Sequence, residues 1–502
     1  MLFLFHACHE SKAPINRNLA LSDYESSDTS LYRIDGNIVR DGILRLARQD
    51  QDSLAIDSRV KNYYREAGRF LWITRLGVDE RADTFLSYLK EVERVGMSLG
   101  KFRYPQIERD LKRMRKLDFD AENHSINKVL ARLEYNLTKA YLRYTTGQRF
   151  GYMNPHYVFN RLDIKEKDSL RVDYHGLYDL PTDKPSVAFY QHALRKITSD
   201  SLSVFLKEIQ PRQEIYKRML AVYEKGGHSE AEKIKLLCNL ERSRWRQADY
   251  PENHSKYVWV NIPSLHLDAI NGDSVLSMRM VCGTFKNKTP LLTSKITRMD
   301  VNPQWVVPQS LINRDILRHV GDWGYFTRKR FFVRSRTTGE RVPLVNVTQE
   351  KLRSGQYAVV QEGGEGNALG RIVFRFANNF SVFIHDTSSR ELFNSEARSA
   401  SHGCIRVEKP YELALFMMPK VDEDWAARLK YSMSVRFHQR EEDEEGQRWD
   451  KAKLIKSQGV KPNVPLFINY YTRYPNRQGI MEKYNDIYGY DAVIYRHLKN
   501  YM

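Results

Sequence analysis

Cysteine is scarce: four residues in 502, at Cys8, Cys238, Cys282 and Cys404, with no CxxC pair among them. That excludes a disulfide-built scaffold and leaves a structural zinc site without its usual ligand spacing. No apolar run approaches the ~20 residues that a membrane-crossing helix needs, and the longest, Leu413 to Met418, falls far short. Internal repeats and low-complexity domains are also missing. What the chain does have is length, apolar content and positive charge. At ~150 residues per domain it is long enough for two to four domains. Its 41% hydrophobic and 12% aromatic residues argue for a sizeable core and against global disorder. The 80 basic and 62 acidic residues leave a net charge of +18, which favours a polyanionic partner such as nucleic acid, an anionic membrane or an anionic cell wall.

The segment Met1 to Cys8 is apolar and ends in a small residue before a cysteine. It resembles the tail of a bacterial lipoprotein signal, with Cys8 as the residue that carries the lipid, although the basic start of such a signal is missing and the apolar part is short. Residues 1–30 are therefore expected to be a signal-like segment and linker.

From residue 31 to about 250, apolar residues recur at three- and four-residue spacing, which predicts an all-helical domain. Helices are expected over Gly36 to Gln49, Val60 to Trp72, Arg81 to Val95, Tyr104 to Arg115, Ser125 to Thr145 and Val187 to Leu206. In the fifth, Ile126, Val129, Leu130, Leu133, Leu137, Ala140, Tyr141 and Tyr144 make one core-facing stripe, with Gly147 as the expected cap. Near Lys256 the period changes to two. Tyr257 to Ile262, Leu265 to Ile270 and Val275 to Val281 read as strands, the last two joined through Asn271-Gly272, a hairpin signal. Further strands are expected at Phe331 to Arg336, Tyr357 to Gln361, Arg371 to Phe376 and Ser381 to His385. The fold class is thus α+β: a helical domain, 31–250, before a β-rich domain, 251–430. A basic stretch, 309–354, separates early strands from late ones and suits either a lid over a site or a solvated insertion. The charge run Arg440 to Glu445 reads as a solvated face.

Chemistry concentrates in Phe383-Ile-His385-Asp386-Thr387 and Arg398-Ser-Ala-Ser401-His402-Gly403-Cys404-Ile-Arg406. A thiol becomes a strong nucleophile only as the thiolate, so it needs a base or an electropositive setting. His385 and His402 are the available bases, and Arg406 stands close behind the thiol. On an extended strand His402 and Cys404 would share a face, and an adjacent antiparallel strand would bring His385 to Cys404. Gly403 allows close backbone approach, and amides near Cys404 are candidate oxyanion donors. Spacing alone leaves three readings open: a cysteine nucleophile, a metal site of His385, His402 and Cys404, and coincidence of packing. The metal reading lacks a fourth ligand, and Arg406 favours an anion. Other features carry less. Glu362 to Gly370 is glycine-rich without a phosphate-loop ending, and the basic-aromatic Arg328 to Phe332 has no nucleic-acid fold signature around it. Cys238 lies in an apolar pattern, and Cys282 has no histidine neighbour.

Ile384-His385-Asp386-Thr387 followed by Ser401-His402-Gly403-Cys404-Ile405-Arg406 resembles the signature of the L,D-transpeptidase catalytic family of the YkuD type. Thr289-Pro290, Val301 to Pro308 and Gly366 to Gly370 resemble elements of its large YcbB-like subgroup, as do Leu137 to Pro155 and Asn239 to Trp245 of that subgroup's helical scaffold. The resemblance implies Cys404 as nucleophile, His385 as its base, His402 and Gly403 shaping the pocket and oxyanion site, and Ser401 and Arg406 at motif positions, with Arg406 suited to a substrate carboxylate. It implies a two-step acyl transfer on peptidoglycan stem peptides that needs no metal or organic cofactor and makes 3-3 cross-links with release of terminal D-alanine. It further implies inhibition by carbapenems at Cys404; a periplasmic place in a bacterial envelope is expected, with the lipid on Cys8 that the signal-like segment suggests as the attachment. The same thioester would serve an L,D-carboxypeptidase or a D-amino-acid exchange enzyme, and an inactive wall-binding scaffold is the rival of another class. Lys207 to Leu236 leaves little room for the wall-binding module that the subgroup often inserts. Residues 431–502 are expected to be a C-terminal extension packing on the catalytic domain: Asn469-Tyr470-Tyr471 and Tyr484 to Tyr490 resemble such an element of the subgroup, while the many tyrosines of 450–502 have no reading in sequence.

Overall fold

The computed structural model describes residues 31–74, 77–167, 172–435, 450–476 and 478–502. The lipidation candidate Cys8 and the charge run Arg440 to Glu445 lie outside the described residues. The helical half opens with α1 (Gly36–Gln49), α2 (Ala55–Arg65), α3 (Glu80–Lys90), α4 (Tyr104–Lys116) and α5 (Ile126–Phe150). Helix α1 starts where Asp35 accepts the amides of Asn37 and Ile38, and it buries Val39, Ile43 and Ala47 along one stripe.

Helix α5 is the axis of this half, and α1, α2 and α4 all pack against it. Its polar residues also point inward. Buried Glu134 accepts the amides of Leu71, Trp72 and Ile73, so the expected helix Val60 to Trp72 instead ends at Arg65 and the chain passes extended across the carboxylate. Arg143 and Lys139, both buried, pair with Asp57 at 2.7 Å and Asp52 at 2.7 Å. The expected cap at Gly147 is corrected: α5 continues to Phe150 and is capped by Gly151 at φ +89°. Gly147 serves packing, because the Tyr152 ring closes to where a Cβ would stand. The single helix expected over Val187 to Leu206 is two, α6 (Val187–Ile197) and α7 (Leu202–Glu208). Between them Thr198 and Ser199 hydroxyls donate to the carbonyls of Arg195 and Lys196, a local alternative to the helical ladder. Helices α8 (Glu214–Glu224) and α9 (Glu230–Arg244) complete this half.

The β-rich half is built on β2 (Lys256–Asn261), β3 (His266–Asn271), β4 (Ser274–Gly283), β5 (Leu291–Val301), β10 (Ile372–Phe376), β11 (Ile384–His385), β13 (Ile405–Val407) and β14 (Ser457–Asn469); the helical half contributes β1 (Tyr178–Asp179). The eight close into a ring in the order β10-β11-β13-β4-β3-β2-β14-β5, since β5 pairs back to β10. The hairpin expected between β3 and β4 is present, its turn one residue further on: Asn271 pairs with Ser274, and Gly272 takes the positive φ, 56°. β1 adds to β5 in parallel, and one hydrophobic core runs through both halves.

Two expectations change. Residues 431–502 are no added layer: β14 lies inside the ring between β2 and β5, and the last helix, α12 (Tyr490–Leu498), following α10 (Pro410–Met417) and α11 (Glu423–Ser434), docks on α9. The apolar run from Val464 to Ile468 is buried on both faces, as an interior strand requires. The insertion is also wider than 309–354. Strands β6 (Trp305–Val306), β7 (Phe331–Ser335), β8 (Arg341–Val342) and β9 (Tyr357–Gln361) form a separate sheet over a separate core of Ile312, Ile316, Phe326, Val333, Leu352 and Val359. An insertion with its own sheet and core is a small lobe rather than a loop.

Candidate active site

The ends of β11 and β13 build the site. These strands pair in parallel, with His385 beside Arg406 and Ile384 beside Ile405, and the Ile405 amide donates to the Phe383 carbonyl at 2.9 Å. The antiparallel neighbour expected from sequence is corrected: the chain between His385 and Cys404 crosses over through a short helix, Arg390–Asn394, and β12 (Ser399–Ser401), and a crossover joins parallel strands. Extending the register by one residue sets Phe383 beside Cys404. By the alternation of the pleat, Phe383, His385, Cys404 and Arg406 share one face. Parallel pairing thus sets His385 beside Arg406 and places Cys404 two residues before Arg406 on the same face.

His385 is buried, and its Nδ1–H donates to the Asp386 carbonyl, which leaves Nε2 with the lone pair. Burial first, and then the Arg406 charge, lower its pKa to about 4, so the ring is neutral across the physiological range. Cys404 is half-buried. Burial raises its thiol above the usual range, partly offset by the Phe383 amide and by the charges of Arg406 and Arg375. The resting pair is therefore neutral imidazole with neutral thiol, and the surrounding cations favour the thiolate once a proton leaves. The Asp386 carboxylate does not bond the His385 ring; it accepts the Arg371 amide at 2.8 Å and pairs with Arg390 at 3.0 Å.

Gly403, at φ +110°, turns the chain between β12 and β13, so His402 and Cys404 do not lie on one strand as their spacing suggested. The turn is held from behind. Ser401 Oγ donates to the Cys404 carbonyl at 2.6 Å and accepts the Gly403 amide at 3.1 Å, which commits that amide away from an oxyanion in this conformation. Exposed His402 points to the insertion, where Arg314 Nη2 donates to its Nε2 at 2.6 Å. Partial desolvation, and then the Arg314 charge, lower the His402 pKa. Arg406 borders a cavity of about 280 Å³ between ring and insertion, with Asp315, Tyr325, Lys329 and Ser389. Its Nε is buried without a hydrogen-bond partner among the described residues. Such a donor is suited to a substrate oxygen.

Two family models match the chain. Residues 255–423 match the L,D-transpeptidase catalytic domain of the YkuD family, and residues 58–222 match the Scaffold domain. A curated relative from Haemophilus influenzae, named "Putative L,D-transpeptidase", is 27% identical over 317 residues. The match covers 62% of this chain and 60% of that protein. Residues 255–423 are thus similar to an L,D-transpeptidase catalytic domain and residues 58–222, before them, to a scaffold domain.

Several supports of this site were not singled out from sequence as parts of it. Thr289 Oγ1 donates to the Gly403 carbonyl at 2.9 Å and accepts the Gly283 amide at 2.9 Å. Tyr488 donates to the Gly283 carbonyl at 2.8 Å and accepts the Thr289 amide at 3.1 Å. Thr289-Pro290 was visible as a motif, but nothing in sequence linked Tyr488 to Cys404, about eighty residues earlier. Arg375, stacked over Phe383 at 4.5 Å, is likewise set by strand pairing alone. Cys238 and Cys282 are both buried, and burial raises both thiols. The described residues contain no cluster of three or more metal-ligating side chains.

Proposed function

We propose that this chain is a peptidoglycan L,D-transpeptidase that forms 3-3 cross-links through a thioester on Cys404. What supports the reading is the register that sets neutral His385 beside Arg406, with Cys404 on the same face by the strand's alternation and Arg406 bordering a cavity under the insertion. His385 Nε2 takes the Cys404 proton as sulfur attacks the carbonyl of the third, diamino-acid residue of a donor stem. The tetrahedral adduct collapses, the C–N bond to the terminal D-alanine breaks, and His385 gives its proton to the departing amine. The amine of a third residue on a neighbouring stem then attacks the thioester, loses its proton to His385, and returns the thiol. Arg406 holds a stem carboxylate through its unpartnered guanidinium edge. The +18 charge suits an anionic wall, and we place the protein on the periplasmic side of a bacterial envelope, anchored through lipid on Cys8.

The test is incubation of residues 31–502 with disaccharide tetrapeptides, read by liquid chromatography and mass spectrometry beside Cys404→Ala. Dimers that have lost one terminal D-alanine are expected, and only with Cys404 present. Monomeric tripeptides alone would make water the acceptor and the enzyme an L,D-carboxypeptidase. Addition of a carbapenem should increase the protein's mass by one acyl unit, and the Cys404→Ala protein should stay unmodified.

A further inference from the structure

A second cavity, of about 440 Å³, lies where the two halves of the chain meet. It is lined by the end of α9, the loop 247–253, β2 and the segment after β14. That volume falls within the ~300–1,000 Å³ of small-molecule sites. Its floor is aromatic: Trp245, Trp259 and Tyr471 are buried, and half-buried Tyr474 stacks on Trp259 at 5.1 Å with the rings 21° apart. Arg242 also lines it. One nitrogen of that guanidinium pairs with Asp491 at 2.5 Å, while Nη2 is buried with no hydrogen-bond partner among the described residues. The mouth is fixed, because the Tyr250 hydroxyl receives the Gln247 amide at 2.8 Å and the Gln213 side chain at 3.1 Å.

Arg242 is balanced by Asp491 outside the lining, so Arg212 and Arg246 with Asp183, Glu214 and Glu252 leave the cavity without net positive charge. A polyanion needs a net positive surface, so the occupant is neutral. Flat aromatic faces take the apolar face of a pyranose ring, and the free N–H of Arg242, its charge already balanced by Asp491, suits a neutral acyl oxygen. Trp259 and Tyr474 also border a second groove, of about 770 Å³, with Tyr257 and Tyr484, which extends the aromatic surface in the way a linear chain of sugars requires. We infer that this junction binds an N-acetylated saccharide, a stretch of glycan strand, separately from the stem-peptide site. The choice of glycan rests on the transpeptidase reading, and the site would supply the wall contact for which the sequence has no separate module.

The experiment uses the full chain with Cys404→Ala, titrated with a peptide-free N-acetylglucosamine tetramer and followed by tryptophan fluorescence and calorimetry. Saturable binding is expected, weakened at least tenfold by Tyr474→Ala and retained by Tyr474→Phe, with unchanged circular dichroism in both. A glucose tetramer without acetamido groups should bind at least tenfold more weakly, and a free tetrapeptide stem should not compete. Absence of saturable binding at millimolar tetramer, equal binding of the two oligomers, no effect of Tyr474→Ala, or competition by the stem would each overturn the site. None of these depends on turnover, so the catalytic reading stands or falls separately on product formation.

Discussion

The ionisation of one pair of side chains governs how the site responds to pH. Burial holds the Cys404 thiol protonated, so alkylation by iodoacetamide should be slow near neutrality and accelerate beyond the usual cysteine range. Mass spectrometry of the Cys404 peptide reads this directly, and a fast reaction already at its plateau near pH 6 would mean a preformed thiolate. His385 links pH to stability. Above pH ~6.5 it is neutral folded and unfolded; below, the unfolded chain takes a proton that the folded site accepts only near pH 4. Stability should therefore fall as pH drops from ~6.5 to ~4, by about 3 kcal/mol from this group. His385→Gln should remove that part of the slope in denaturant titrations, and an unchanged slope would refute it.

The elements show why glycine means different things at different places. Gly403 needs its left-handed φ of +110° to reverse the chain before Cys404, while a Cβ there would find its nearest neighbour at 3.5 Å. Gly403→Ala should thus cost about 1–3 kcal/mol through backbone strain rather than through a clash, with turnover reduced because the thiol moves. Gly147 has ordinary helical geometry, but a Cβ would stand 2.1 Å from the Tyr152 ring. Gly147→Ala should cost about 1–3 kcal/mol by overpacking in chemical denaturation, and it lies far in sequence from Cys404. Sequence marked both positions, yet it assigned Gly147 a cap, because what presses on a helical glycine is a tertiary contact.

At the scale of the molecule, catalytic domain and scaffold form one core. The ring closes only when β14 enters between β2 and β5, and the path from α9 through α12 to Tyr488 and Thr289 ends on the Cys404 turn. Residues 251–430 expressed alone lack that strand and leave two open edges, so they should be insoluble, whereas residues 31–502 should be soluble. A soluble 251–430 with a dispersed amide spectrum would show that the ring tolerates the gap.

Local pattern was sufficient for much of this. The three-and-four spacing placed α1 and α4 within a residue or two, strand-like pattern placed β9 and β10, and the motifs around His385 and Cys404 marked the two segments that the fold sets side by side, because each of these is written in neighbouring residues. Contacts between distant segments were decided only in the folded chain. Among these are the parallel pairing of β11 with β13, the end of α2 on the Glu134 carboxylate, the burial of β14 in the ring and the aromatic junction of Trp259 with Tyr474. Strand partners and buried polar bonds depend on which surfaces meet across hundreds of residues, and no periodicity within one segment encodes that meeting.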